Sequence, residues 1–528
     1  MHEQASARQQ RLAREKVVYQ YITALEQGDM DTIASLLQQA EHDPALEQMI
    51  LEAHEVYSRE DQNAPQPGQI AVVRYKLLNL LSAQEETGIL SSRPPARSRR
   101  RRIFLQTVAA VIIVCALIGS ALLLFAPRQT RTGSRAPALG TWKLVTSPNP
   151  GSANNGLQAI AADAANDAWA VGSSSDSPYS GQNQKTLIEH WNGFAWSVVK
   201  GRNAELPNSG LSGVVALSPD NVWVVGDTSP GNSNSSQPLI EHWNGNTWTI
   251  VNSPAPASSS LYSIAAVSAN DIWAVGGHGV SSSGVTVQRT LIEHWDGRSW
   301  KVVQSPNVAN VGSGFTFLAG IAAVSASDVW AVGFSSSAAV QNNQTALIEH
   351  WNGTAWTIVQ GANAGIAGFL YGIAAVSPDN IWAVGSLTTS AGGAGTQQAL
   401  IEHWNGASWS VVGSPGSAIE SGILDAVAAR SASDIWAVGS TISSQPQTLI
   451  EHWDGHSWKT VSSPNVGTNG PDAPTINNNL SGIAAVPSSH VIWAVGDAEN
   501  NNVTASPPAT PTQFSPVNSQ TIIESYGL

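Results

Sequence analysis

The chain has 528 residues, 20 tryptophans and one cysteine, Cys115, which lies inside an apolar run. Disulfides, cysteine-based metal sites and cysteine nucleophiles are therefore excluded from the folded parts of the chain. Residues 136–528 carry 9 Lys/Arg against 24 Asp/Glu and no basic cluster. That balance argues against nucleic acid as a partner of this region, because phosphate binding needs a footprint of lysine and arginine.

Residues 1–92 are predicted to form a small cytoplasmic helical domain. Apolar residues follow one another near helical spacing from Val17 to Leu25, and Gly28 ends this first helix. Asp43-Pro44 has the form of an N-cap followed by proline at the first helical position, which predicts the start of a further helix. No catalytic or metal-binding motif is visible in this domain.

A membrane span is predicted to follow. Residues 93–102 contain six arginines, and residues 103–125 are 23 residues without a charge, long enough to cross a bilayer as a helix. Three arginines stand in the linker of residues 126–140, so the excess of positive charge before the span predicts a cytoplasmic N-terminus. The chain is thus predicted to be a single-pass protein of the cell membrane, with residues 141–528 outside the cytoplasm.

Residues 141–528 repeat one pattern at intervals of 50 to 57 residues, which is typical of propellers and solenoids. Its clearest copy begins at Leu370 and reads L-Y-G-I-A-A-V-S-P-D-N-I-W-A-V-G, a polar stretch, then L-I-E-H-W-N-G-A-S-W-S-V-V. The tryptophans of the seven W-[AV]-V-G copies are Trp169, Trp223, Trp273, Trp330, Trp382, Trp436 and Trp493. The histidines of the six L-I-E-H-W copies are His190, His242, His294, His350, His403 and His452.

Each repeat contains four short runs rich in Val, Ile and Trp, the composition that strands prefer. They are named strands a (L-x-G-I-A-A-V-S), b (D-I-W-A-V-G), c (T-L-I-E-H-W) and d (W-S-V-V). Asn-Gly or Asp-Gly separates strands c and d, as at Asn352-Gly353, and predicts a tight hairpin turn with positive φ at both residues. Four antiparallel strands per repeat predict the blade of a β-propeller. The predicted fold class is an all-β seven-bladed propeller, preceded by a small all-α domain and one transmembrane helix.

The two ends of the repeat region predict how the ring closes. The chain finishes I-I-E-S-Tyr526-Gly527, a degenerate copy of L-I-E-H-W-N-G that lacks its strand d. The missing strand is present at the other end, where T-Trp142-K-L-V matches the S-W-K-V-V of a later repeat. We therefore expect the first strand to complete the last blade, which removes open strand edges.

The glycine at the end of strand b, the aromatic residue in strand c and the tryptophan in strand d resemble kelch repeats, which include the central domain of galactose oxidase. The resemblance covers residues 141–528. It departs from kelch in having W-A-V-G where a double glycine is usual and E-H-W where tyrosine is typical. The order of domains is similar to that of transmembrane anti-sigma regulators of bacteria, although their H-x-x-x-C-x-x-C zinc motif is absent. This second resemblance implies a cytoplasmic protein partner such as a sigma factor.

The repeated residues are predicted to be structural, with no catalytic, cofactor-binding or metal role. Glutamate and histidine side chains can bind metal ions. A residue present in every blade, however, is expected to provide packing or a buried hydrogen bond that every blade requires. The ring also places these residues far apart. Repeated tryptophans are predicted to form the packing between blades. Galactose-oxidase chemistry needs a cysteine-linked tyrosine, and the nucleophile elbow, the phosphate-binding glycine loop and H-E-x-x-H are all absent. No enzyme activity and no cofactor are therefore predicted.

Recognition is predicted to lie on the face formed by the variable b–c and d–a connections, since loops on a rigid scaffold usually carry it. These connections are rich in Ser, Asn, Gln, Gly and Thr, which suits a glycan or a peptide backbone. They are predicted to span 173–185, 227–237, 277–289, 334–345, 387–398, 440–447, 497–520 and 462–479. The predicted function is recognition of an extracytoplasmic ligand, relayed to the helical module. The alternatives are a surface adhesin or scaffold without signalling, and a hydrolase or lyase that uses the variable face.

Overall fold

The structure of the protein is a computed structural model. It describes Val17 and residues 140–528, without residues 178–182, 203–207, 230–234, 283–284, 307–313, 337–343, 363–366, 389–396, 416–420, 468–475, 488 and 501–518. The predicted helical domain (Val17 apart), the basic segment, the transmembrane helix and the linker up to residue 139 lie outside the described residues. Within the described residues, no helix has both the length and the apolar character needed to cross a membrane.

Residues 140–528 form seven antiparallel sheets of four strands each. The a strands are β2 Asn154–Ala164, β6 Ser209–Ser218, β10 Ser259–Ser268, β14 Thr316–Ser325, β18 Ala367–Ser377, β22 Gly422–Ser431 and β26 Ile476–Ala485. The b strands are β3 Asp167–Ser175, β7 Asn221–Thr228, β11 Asp271–Ser282, β15 Asp328–Ser336, β19 Asn380–Thr388, β23 Asp434–Thr441 and β27 Ile492–Asn500. The c strands are β4 Lys185–Trp191, β8 Gln237–Trp243, β12 Val285–Trp295, β16 Gln344–Trp351, β20 Gln397–Trp404, β24 Thr448–Trp453 and β28 Ser519–Tyr526. The d strands are β5 Trp196–Val198, β9 Trp248–Ile250, β13 Trp300–Val302, β17 Trp356–Ile358, β21 Trp409–Val412, β25 Trp458–Val461 and β1 Lys143–Leu144.

The sheets form a closed ring of blades. In six blades the strands follow the order a-b-c-d along the chain, and each pairs antiparallel with the next. The a strands of successive blades contact one another from β2 round to β26, and β26 contacts β2 again. The a strands are therefore the innermost, and the prediction of a seven-bladed propeller is confirmed.

The seventh blade is completed by the first strand, as predicted. Its order is β1-β28-β27-β26, with Lys143 opposite Ser525 and Leu144 opposite Glu524. The backbone N–H of Val145 donates to the carbonyl of Ile523 at 2.8 Å, which extends the pairing by one residue. The beginning and the end of the propeller sequence thus share one sheet.

Tryptophans pack the blades against one another. The b-strand Trp330 lies with its ring centroid 5.0 Å from that of Trp404 and 5.7 Å from that of Trp409, both in the next blade. The same contact between a b-strand tryptophan and the aromatic pair of the next blade recurs around the ring. The b-strand and d-strand tryptophans are all nearly inaccessible to solvent. Buried aromatic side chains contribute large apolar areas, so this repeated contact is a main source of stability between blades.

The a–b and c–d turns meet on one face of the ring, as the strand order predicts. A Cβ on Gly353 of a c–d turn would lie only 2.8 Å from the Cβ of Ser327 in the a–b turn of the same blade. The predicted geometry of the c–d turn is wrong, however. The loop has four residues, only the glycine has positive φ (90° at Gly353), and the Asn352 Oδ1 accepts the backbone N–H groups of Thr354 and Ala355. The role of the asparagine is therefore to accept backbone hydrogen bonds with its side chain, and its own backbone does not adopt a positive φ.

Candidate binding site at the inner strands

The repeated histidines contact residues of their own blade. In each of the six blades that has one, Nε2 lies 2.8–3.0 Å from a side-chain oxygen of the Asp or Asn that begins strand b, as in His350 with Asp328. The His350 ring also lies against the ring of Trp330, with centroids 4.2 Å apart. Among the described residues, no group of three or more His, Cys, Asp or Glu side chains is placed to hold a metal ion.

The glutamates that precede these histidines lie in the interfaces between neighbouring blades. Each is fully or almost fully buried, and the seventh copy is Glu524. The Ser305 Oγ donates to Glu349 at 2.8 Å from the connection that leaves the preceding blade. Burial raises the pKa of Glu349 to about 8, and the hydrogen bond from Ser305 only partly offsets this shift. These carboxyls therefore form hydrogen bonds between neighbouring blades and are not accessible to a ligand.

The inner strands depart from the repeat at one position. Each a strand has a β-bulge directly after its conserved leucine, and the bulged residue is the variable x of L-x-G-I-A-A-V. Bulges re-aim side chains and are common at functional sites. The seven bulged residues are Gln158, Ser212, Tyr262, Ala319, Tyr371, Asp425 and Ser481. The scaffold around this position is constant, but the position itself differs from blade to blade.

The bulged residues lie where neighbouring blades come closest. A Cβ on Gly320 would be 2.7 Å from the carbonyl oxygen of Tyr371, and a Cβ on Gly372 would be 3.0 Å from that of Asp425. Gln158 and Tyr262 are nevertheless exposed. Since neighbouring blades cover both faces of a blade, an exposed side chain in the middle of an inner strand can only face the central opening of the ring.

Aromatic side chains on blades 3, 4 and 5 form one continuous row, named here the aromatic row. Successive ring centroids are 5.6 Å apart for Tyr262 and Phe317, 4.2 Å for Phe317 and Phe334, 4.6 Å for Phe334 and Phe369, and 6.1 Å for Phe369 and Tyr371. Phe334 is buried and Tyr262 is 37% exposed, while the other members are half-buried. None of these side chains belongs to the repeated motif.

Carboxyl groups flank the aromatic row. Desolvation raises the pKa of Asp227 in blade 2 and raises that of Asp425 in blade 6 to about 7. Burial raises the pKa of Tyr262, and the charge of Asp227 raises it further. Tyr371 is affected in the same way by burial and by Asp425. Each end of the row is thus a tyrosine within electrostatic reach of a carboxyl.

The aromatic row belongs to the same end of the ring as the variable connections, because its members lie in the first half of strand a or near the end of strand b. That is the face on which recognition was predicted, but the predicted loop limits are too wide. Strands β11 and β12 pair from Ile272 with Trp295 out to Ser282 with Val285, so most of the predicted 277–289 loop is a β-hairpin. Much of the remaining loop sequence lies outside the described residues.

Sequence reasoning missed the aromatic row because it searched for what the repeats share. The signal that could have found it is the one variable position inside the most constant strand, where the seven copies read Q, S, Y, A, Y, D and S. Phenylalanine gives a second signal. Of the five phenylalanines between residues 141 and 500, four lie between residues 315 and 369, and Phe194 is the other one.

The chain is, in its described part, a seven-bladed β-propeller. No family model and no curated protein matches it, so its likeness to kelch repeats remains a resemblance. Its structure is similar to YCF48 bound to a D1 peptide, with 13% identity over 74% of this chain and 99% of that chain and a TM-score of 0.41. It is also similar to YCF48 from Cyanidioschyzon merolae (15% identity, 73% and 98% of the two chains, TM-score 0.43) and to the fucose-specific lectin from Aleuria aurantia (12% identity, 66% and 89%, TM-score 0.32). These likenesses concern the fold, and nothing about a ligand follows from them.

Proposed function

We propose that the propeller is a non-enzymatic recognition domain that binds its ligand at the aromatic row. The observation that carries this proposal is the placement of non-repeated aromatic side chains on three neighbouring inner strands of an otherwise repeated scaffold. Aromatic walls with a few polar groups are typical of ligand sites. Side chains that differ among otherwise identical blades are not required by the fold, so the presence of aromatic side chains at several such positions of blades 3, 4 and 5 favours a role in binding.

Binding through the row is tested with Phe369→Ala in the full-length chain, screened against arrays of glycans and peptides. We expect any ligand captured by the wild-type chain to be lost or weakened by about tenfold or more, since aromatic side chains dominate such contacts. The matched control is Ile358→Ala, which also removes a large apolar side chain, because Ile358 is 46% exposed on the outer strand β17. Equal loss in both variants, or capture unaffected by Phe369→Ala, would reject the site. Turnover of an array glycan would favour a hydrolase or lyase instead.

We further propose that the chain is a single-pass protein of the cell membrane, with the propeller outside and residues 1–92 inside. This proposal rests on the uncharged segment 103–125 and the six arginines before it. Protease added to intact cells should release the propeller and leave an epitope tag at the N-terminus protected. Release of the tag with the propeller still protected would reverse the topology.

Signalling to a cytoplasmic partner such as a sigma factor is the proposed consequence of binding. It rests on the order of the domains alone. Capture of one sigma factor in stoichiometric amount by the full-length chain, and not by a chain without residues 1–92, would support it. No specific cytoplasmic partner, together with retained ligand binding, would favour an adhesin or scaffold without signalling.

A further inference from the structure

We propose that the ligand group held at the aromatic row is an organic cation, a quaternary ammonium group. This inference rests on the proposed function, because it names the chemistry of the same site. Three features carry it: the continuous row of aromatic rings, the carboxyl group at each end of the row, and the lack of any cation beside those carboxyls in the described part of the chain.

The carboxyls at the row differ from the other deeply placed acids of the ring. Each buried glutamate, such as Glu349, accepts a hydrogen bond from a neighbouring connection. Asp227 and Asp425 accept no hydrogen bond and form no ion pair within the described residues. Desolvation is the cause of the raised pKa of both, with no compensating positive charge. A deeply placed carboxyl without a partner is costly, and a ligand cation would offset that cost.

Neither carboxyl is sealed off from solvent. Asp425 is the bulged residue of β22, at the same position as Tyr262 and Tyr371, and it keeps part of its surface accessible. It therefore faces the same central opening as the two tyrosines. Asp497 in the b strand of blade 7 is a third half-buried carboxyl at this end of the ring, with its Cβ 3.6 Å from where a side chain on Gly156 of blade 1 would begin. Burial raises the pKa of Asp497 to about 6, and the charge of Glu499 contributes to this shift.

The aromatic rings favour a cation over an anion or a strongly polar group. The faces of phenylalanine and tyrosine rings carry negative electrostatic potential and attract ammonium and guanidinium groups. Phenylalanine offers no hydrogen bond, so the row by itself satisfies few of the hydroxyl groups of a sugar. Arg289 lies in the c strand β12 of blade 3, opposite His278. Desolvation lowers the pKa of His278, and the charge of Arg289 lowers it further. Arg289 makes no contribution to the pKa of Asp227 or Asp425.

The test measures binding of choline and of 3,3-dimethylbutan-1-ol, its neutral carbon isostere, to the full-length chain by calorimetry. We expect choline to bind about tenfold more tightly or better, since the two differ only in charge. A peptide that contains trimethyllysine is the third probe. Tighter binding of the peptide than of choline would identify a protein side chain as the source of the cation, and the reverse order would identify a free small molecule.

The variant that isolates the charge is Asp425→Asn, which keeps the size of the side chain. It should weaken choline by about fivefold or more and leave the neutral isostere unchanged, because only the charge is removed. Asp220→Asn is the control, since Asp220 is an exposed carboxyl of an a–b turn on the opposite face. Phe369→Ala should weaken both probes.

Three outcomes overturn the inference. Equal affinity for choline and its isostere, both sensitive to Phe369→Ala, would leave recognition at the row intact and refute the cation. Equal loss of choline binding in Asp425→Asn and Asp220→Asn would assign the effect to overall charge. Binding of none of the three probes would refute the cation as well, and the array experiment with Phe369→Ala would then decide separately whether the row binds anything.

Discussion

The rings of Trp142 and Tyr526 lie with their centroids 5.8 Å apart, although 384 positions separate these two residues in the chain. The Tyr526 hydroxyl also accepts the backbone N–H of Gly140 at 2.9 Å, and both rings contact Trp436 of the preceding blade. In the other blades the equivalent pair is two tryptophans, such as Trp404 and Trp409, 5.9 Å apart. The Trp142–Tyr526 pair therefore packs the last blade against the preceding blade with the same aromatic contact that is found between the other neighbouring blades.

Trp142→Ala should destabilise the propeller strongly. Trp142 is 5% exposed, and loss of a buried tryptophan costs about 3–5 kcal/mol, because a cavity remains where the ring was. The measurement is the melting temperature of the full-length chain. Deletion of residues 139–147 should lower it further, since the backbone pairing with β28 is then lost too.

Leu144→Ala is the matched control for closure. Leu144 lies in the same strand and keeps the same backbone pairing, but its side chain is 44% exposed. We expect its melting temperature to stay close to that of the wild type. An unchanged melting curve for Trp142→Ala would mean that the ring is stable without the closing contact.

The buried glutamates should make the propeller less stable as the pH rises. The pKa of Glu189, Glu349 and Glu524 is about 8 in the folded protein, against 4.5 for an ordinary glutamate, because burial disfavours the charged form. A raised pKa means that the folded state binds the proton more tightly than the unfolded state does. The stability from these groups is therefore full below about pH 4.5 and is lost as the pH rises through 8. Thermal melts should give a higher melting temperature at pH 6 than at pH 8.5.

The Glu349→Gln variant tests how much of this pH dependence comes from the buried carboxyl between blades 3 and 4. The amide cannot ionise and can still bond with Ser305, so the variant should melt close to the wild type at pH 4.5 and increasingly above it as the pH rises to 8.5. Each pKa unit corresponds to about 1.4 kcal/mol, so a gain of 1 kcal/mol or more is the expected scale. Glu499→Gln is the control, because Glu499 is exposed. An equal gain from both variants would point to the net negative charge of the ring instead.

Gly353→Ala should be destabilising, and Gly413→Ala should not. Gly353 has φ of 90°, and an added Cβ would lie 2.8 Å from that of Ser327, so the substitution combines backbone strain with a collision between two turns. Left-handed strain alone costs about 1–3 kcal/mol. Gly413 has no atom within 4 Å of an added Cβ. Chemical denaturation of both variants measures the difference, and equal stability would show that the two turns can separate freely.

The sequence repeat made the propeller fold predictable. It gave no indication of the candidate site, because the residues of that site are not repeated. The strand composition and the turns recur in every repeat, so the degenerate copy that ends at Tyr526 could be recognised by comparison with the others, and closure was inferred from it. The turn geometry was not predictable from Asn-Gly alone, because the fold uses the Asn352 side chain as an acceptor. The aromatic row brings together Tyr262, Phe317 and Phe369 from three repeats, and only the closed ring places them side by side.

Tyr262→Ala and Phe334→Ala should separate binding from stability. Phe334 is 7% exposed in the middle of the row, so its loss should cost about 3–5 kcal/mol as a core cavity. Tyr262 is 37% exposed, so its loss should change the free energy of unfolding by about 1 kcal/mol or less. If the row is a binding surface, Tyr262→Ala should nevertheless weaken choline, because the ring that faces the opening is removed. Melting curves and calorimetry on the same preparations give both quantities. A Tyr262→Ala variant that melts as low as Phe334→Ala would make the row part of the packing, and one that binds choline as tightly as the wild type would place the contact elsewhere.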